Sequence, residues 1–194
     1  LNNLEEALWY ARQASEIDDN DWYYKYHIAY CLDLLNQRDE AKKILENILE
    51  IDDENADALS FLGLIYNRRL EYDIALSYQL KVIKYFPDYD NGYNAVGNTY
   101  RLLKNYDKAF DYIYKCLELN PKNYYASGTL AEIYAELGNE NEFYKNLQLS
   151  FIFGMNSENF DRIVHEEEVY KKYYKEERFL NLLKTYRIKV NLQD

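Results

Sequence analysis

The side chains of this 194-residue sequence best suited to catalysis or metal binding are two histidines, two cysteines and three acidic turns, and their spacing argues against both uses. His27 and His165 lie near opposite ends of the chain and share no site. No Gly-rich phosphate loop, no Cys or His cluster at metal-ligand spacing and no nucleophile with a base beside it can be read. The expectation is therefore no catalytic residue, no metal and no cofactor. The turns DDND (18 to 21), DDEN (52 to 55) and DYDNG (88 to 92) lack the later glutamate a calcium loop requires, and read as helix caps and solvated turns. The run Glu166 to Glu168 reads as a solvated helix face. What remains is the chemistry of recognition. Asn94 and Asn98 stand one turn apart on one helical face, where each carboxamide can bond both a peptide carbonyl and an amide. The chain also holds 23 tyrosines, which offer apolar contact with a hydrogen-bonding tip.

These residues are placed by a repeat. Gly63, Gly97 and Ala131 are 34 apart, as are Tyr66, Tyr100 and Tyr134, the series Ala7, Ala41, Ala75 and Ala109, and the pair Pro87 and Pro121. A period of this length means a solenoid of helix pairs, each burying its apolar face against its neighbours. Within 91 to 121, the spacing of Tyr93, Val96, Gly97 and Tyr100 predicts one face of a first helix, and that of Ala109, Ile113 and Cys116 one face of a second. Gly97 and Ala109 are the points of closest approach, because backbones near each other only where side chains are small. Pro121 then ends the unit.

This pattern resembles the tetratricopeptide repeat, W-x2-L-G-x2-Y followed by A-x3-F-x2-A and P, with Tyr93 in the tryptophan slot. The resemblance implies an all-α fold, a right-handed superhelical solenoid of antiparallel helix pairs. The frame gives a half repeat at 1–20, repeats at 21–54, 55–88, 89–122 and 123–156, and diverged C-terminal capping helices at 157–194, of a kind that bacterial proteins of the family often carry. Asp21, Asn55 and Asn123 fall in one N-cap frame, and Ser157 falls in the same frame as if to open a sixth pair. Asp39, Asp73 and Asp107 stand at the starts of second helices, where the helix dipole favours them. The fifth unit departs from the pattern, since Phe143 stands where a small residue is expected.

In this family the concave wall is lined by first-helix residues that do not pack on their own partner helix. Helical phase puts Tyr23, Tyr26 and Tyr30 there, then Phe61, Leu64 and Arg68, then Asn94, Asn98 and Arg101, and finally Tyr125. The expected role is a non-catalytic scaffold binding a peptide or helical segment of a partner protein. The corresponding faces lack the lysine-rich clamp that family members use to grip acidic chaperone tails. A formal charge of −11 excludes a phosphate-backbone partner, whose affinity comes from lysine and arginine. Cys31 and Cys116, in different repeats, read as small core residues in a thiol-tolerant compartment, so a cytoplasmic location is favoured. The apolar run from Phe151 to Phe153 is too short to span a bilayer, so no membrane insertion is expected. Two other expectations stand beside the scaffold. One is the regulatory or substrate-docking arm of a larger enzyme, and the other is self-association through the N-terminal half repeat near Leu8 and Trp9.

Overall fold

A computed structural model describes residues 2–17 and 21–192, so Asp18, Asp19 and Asn20 of the first acidic turn lie outside the described residues. The fold is all-α, a solenoid of antiparallel helix pairs, with no strand among the described residues. It divides into two compact units, Leu1–Gly92 and Tyr93–Asp194.

Unit 1 holds α1 (Asn2–Ile17), the pair α2 (Trp22–Leu34) and α3 (Arg38–Ile51), and the pair α4 (Ala56–Arg68) and α5 (Tyr72–Tyr85). Asp21 starts α2 by accepting the Tyr23 amide at 2.9 Å, and Asn55 starts α4 by accepting that of Ala58 at 3.0 Å. Each satisfies an amide that the first turn leaves without an intrahelical partner. The core runs through Ala29 and Leu32 of α2, Ala41 and Leu45 of α3, Leu62 of α4 and Ala75 of α5, all fully buried. Gln79, a polar residue in an apolar slot, is buried, and its methylene lies where a side chain on Gly63 would begin, 2.7 Å from the position a Cβ would take.

The boundary between the units falls in the first turn of α6 (Asp90–Leu102). Unit 2 continues with α7 (Tyr106–Leu119), α8 (Tyr124–Glu136), α9 (Glu140–Phe153), α10 (Ser157–Glu166), a 3-10 helix at Glu168–Tyr173 and α11 (Glu177–Thr185). Asn123 accepts the Ala126 amide at 2.9 Å. Gly97 meets α7 so closely that a Cβ there would lie 2.6 Å from Ile113 Cδ1 and 3.2 Å from the Ala109 carbonyl oxygen. Phe143, the oversized residue of α9, is fully buried and stacks on Tyr173 at 4.1 Å between ring centroids. The missing small residue is thus explained: α9 turns an aromatic toward the C-terminal segment, where Tyr170, Phe160 and Phe179 complete the cluster. The cap of α10 is Asn156, which accepts the Asn159 amide at 2.9 Å, so the expected Ser157 cap is displaced by one residue. Ser157 instead accepts the Lys189 amide.

Two regularities unite the copies. The turn inside each pair carries one residue in the left-handed region, Asn36, Leu70, Lys104 and Gly138, again 34 apart, with φ of 62°, 63°, 58° and 74°. The next amide reaches back five residues to a carbonyl, Gln37 to Leu32, Glu71 to Tyr66, Asn105 to Tyr100 and Asn139 to Tyr134, at 2.8 to 3.0 Å. This is the bonding that closes a helix end when the chain reverses through a left-handed residue. Two of the recurring tyrosines also stack across their pairs, Tyr66 on Tyr78 at 5.6 Å and Tyr100 on Tyr112 at 5.5 Å, whereas Tyr134 meets Phe110 of α7 at 5.5 Å.

Candidate functional site

In unit 1, Tyr23, Tyr26 and Tyr30 follow one another at three and four residues along α2, so the helix presents them as a stripe. Tyr23 is 52% exposed and Tyr30 48%, while Tyr26 is half-buried. Phe61 of α4 is buried behind them, its ring centroid 5.7 Å from Tyr26 and 6.2 Å from Tyr30. Tyr23 meets the His27 ring edge-on at 4.4 Å. Leu64, three residues beyond Phe61, is exposed. Burial first, then the charge of Asp57 and the neighbouring Tyr30 and Tyr89, raises the Tyr26 hydroxyl above its ordinary pKa and keeps it a neutral donor. Arg68 is half-buried against Asp33, whose carboxylate Arg38 also holds at 3.2 Å.

Unit 2 brings its expected residues to one face and then uses them internally. Asn94 Oδ1 accepts the Thr129 hydroxyl at 3.1 Å, and Asn98 Oδ1 accepts the Arg101 Nε proton at 2.9 Å. Arg101 is only 1% exposed. Its guanidinium donates to Glu136 at 2.7 Å and to Glu167 at 2.8 Å, and lies 3.3 Å from the Glu132 carboxylate. The C-terminal segment closes over this cluster. Tyr170 donates to Glu132 at 3.5 Å, and Lys172 donates to the Ala135 carbonyl at 2.9 Å. Arg101, expected to face a partner, is enclosed by carboxylates of its own unit. Desolvation dominates at Glu132 and pushes its pKa up to about 8, the Arg101 charge opposing. At Arg101 burial lowers the pKa, but Glu132, Glu167 and Glu136 together raise it beyond its usual range, so it stays charged. Tyr125 is half-buried, its ring 4.2 Å from that of Tyr124.

One feature has no signal in the repeat frame. A cleft of about 420 Å³ opens between α9 and α11, lined among others by Tyr144, Gln148, Arg178 and Tyr186. Arg178 lies over the Tyr144 ring at 3.9 Å, and Gln148 donates to the Tyr186 hydroxyl at 2.9 Å. Among the described residues no group of three His, Cys, Asp or Glu is placed to hold a metal ion, and no helix is long and apolar enough to cross a membrane.

Comparison with known proteins agrees with this geometry. Family models described as tetratricopeptide repeat match residues 91–123 and 23–53. A curated relative, the BBSome complex member BBS4 of Bos taurus, is 25% identical over 126 residues, which are 65% of this chain. The match spans about a quarter (24%) of that relative's length. Among solved structures, MamA residues 41 to the end from Desulfovibrio magneticus superposes with a TM-score of 0.63 at 19% identity, covering 78% of this chain and 88% of that one. A crystal structure of MamA gives 0.62 at 18% identity, covering 78% and 89%. At these identities the likeness is one of fold.

Proposed function

We propose that this chain, whose residues 23–53 and 91–123 match tetratricopeptide-repeat models, is a protein-interaction scaffold that acts without catalysis by holding an extended or helical segment of a partner protein on the tyrosine stripe of unit 1. The observation that carries this reading is that Tyr23 and Tyr30 stand half exposed in one row, Tyr30 against the buried Phe61 and Tyr23 against the His27 ring. A buried aromatic behind exposed ones fixes their rings before any partner arrives, so little side-chain entropy is lost on contact. Tyr26 supplies a hydroxyl that remains a donor, Leu64 extends the apolar floor, and Arg68 stands farther along α4. Asn94, Asn98 and Arg101 support the fold of unit 2 in this reading, and Tyr125 contributes a ring edge there.

The test begins with a photo-crosslinking amino acid at position 30 and, as control, at the exposed Ile152. A partner caught at position 30 and not at 152 is then titrated by calorimetry against the wild type and the Tyr23→Ala, Tyr30→Ala double variant. Aromatic anchors of this kind are worth roughly 1 to 2 kcal/mol each, so the double variant should bind at least about tenfold more weakly at an unchanged melting temperature. Equal affinity would remove the stripe from the interface. A second reading, self-association, is favoured by Trp9 and Tyr10 of α1, which are both more than half exposed with rings 4.9 Å apart. Sedimentation of Trp9→Ala against the wild type decides it.

A further inference from the structure

We propose that the segment received by the tyrosine stripe of unit 1 is basic, a lysine- or arginine-rich stretch with interspersed apolar residues; this rests on the reading of the stripe as a partner-binding face. The two units differ sharply in charge. Leu1–Gly92 holds 19 Asp and Glu against 9 Lys and Arg, a net of −10, whereas Tyr93–Asp194 holds 15 against 14. Nearly the whole formal charge of −11 therefore belongs to the unit that carries the exposed tyrosines.

The local arrangement agrees with this total. Asp21 stands at the head of α2, and Asp57, exposed in the first turn of α4, acts on the Tyr26 hydroxyl. Of the cations on α2 and α4, Lys25 and Arg68 are half-buried, and the charge of Arg68 is spent on Asp33. The stripe thus sits in a negative field with aromatic faces at its surface. A lysine or arginine approaching it gains twice, from the acidic surroundings and from the electron-rich face of a tyrosine ring. The unit already makes such contacts internally, with the Lys42 ammonium 5.9 Å from the Tyr66 centroid and that of Lys81 5.8 Å from Tyr78. An acidic segment, a nucleic acid or an anionic membrane would meet the opposite sign.

The experiment uses the full chain and three fluorescein-labelled 16-residue peptides of identical leucine and tyrosine content, carrying four lysines, four glutamines or four glutamates. Fluorescence anisotropy is read at 50 and 300 mM NaCl. The lysine peptide should bind at least about tenfold tighter than the glutamine peptide at low salt, with the glutamate peptide weakest. The preference should shrink several-fold at high salt, where screening falls to roughly 6 Å. The Tyr23→Ala, Tyr30→Ala variant should lose most of the binding. Charge-blind binding that still depends on the tyrosines would overturn the basic partner and leave the stripe in place. A lysine preference that survives in the variant would put the basic segment elsewhere and overturn the assignment. Binding of none of the peptides would overturn both readings. A dimer seen by sedimentation and abolished by the same variant would give the stripe to a second copy instead.

Discussion

Replacing Glu132 by glutamine should make the protein more stable than the wild type near and above pH 8, with the advantage building up between about pH 5 and 8. The cluster places Glu132, Glu136 and Glu167 around one guanidinium, and Lys104, 3.0 Å from Glu136, is the second cation. Fully ionised, the group carries one excess negative charge, and Arg101 and Glu132 at its centre are buried. A proton on Glu132 removes that excess, and burial raises its pKa to about 8, against an ordinary carboxylate near 4.3 in the unfolded chain. The folded state therefore binds more protons than the unfolded one between those values. This contribution is fully present below about 4.3, declines as pH rises, and is lost once pH has passed through about 8. The steepest decline for one proton is about 1.4 kcal/mol per pH unit. Glutamine keeps the shape and a neutral acceptor but has no proton to lose. Trp9 and Trp22 lie in unit 1, so tryptophan fluorescence reports on the wrong part of the chain. Amide exchange in α8, corrected for the pH dependence of the intrinsic rate, reports on the right one. Between pH 5 and 8 the difference between variant and wild type should widen, per pH unit, by a large fraction of that slope and level off above about 8. Parallel profiles over the whole range would mean that Glu132 is ionised in the folded protein, and the argument would fail.

Two further predictions concern packing and turns. Gly97→Leu places its first side-chain carbon 2.6 Å from Ile113 Cδ1, a contact that α6 and α7 must part to relieve; a loss of roughly 1 to 3 kcal/mol or more is expected in urea unfolding followed by circular dichroism. Leu70→Gly acts in the other direction. Leu70 holds φ at 63° with its side chain exposed, so glycine relieves a left-handed strain of about 1 to 2 kcal/mol against an unfolded-state entropy cost of about 0.4 to 1. The net gain should appear as a higher melting temperature, and a lower one would show that the exposed leucine makes contacts worth more than the strain.

The repeat frame could be read from small residues because they report on backbone approach, which is local to one helix pair. Gly97 and Ala109 sit on that contact, and Asp21, Asn55 and Asn123 cap the helices they precede. The left-handed turn residues were less visible. Gly138 and Asn36 advertise their backbone by their type, whereas Leu70 and Lys104 are betrayed only by standing 34 residues before or after another member of the series. Arg101 shows where a face read from helical phase stops being informative. Phase puts it correctly beside Asn98, but its enclosure depends on Glu132 and Glu136 of α8, on Glu167, 66 residues later, and on Tyr170. The signal that existed was Phe143, too large for its slot, whose partner proved to be Tyr173. The Asn156 cap was missed by one residue because serine and asparagine cap equally well and stand side by side.

Cys31 and Cys116 are both buried, neither is in a disulfide, and one belongs to each compact unit. The native molecule thus carries a built-in clock in each half. A thiol reagent can modify either sulfur only when the surrounding helices breathe, so two alkylation rates, separated by mass spectrometry of the digested product, compare the resilience of the two halves without altering a single residue.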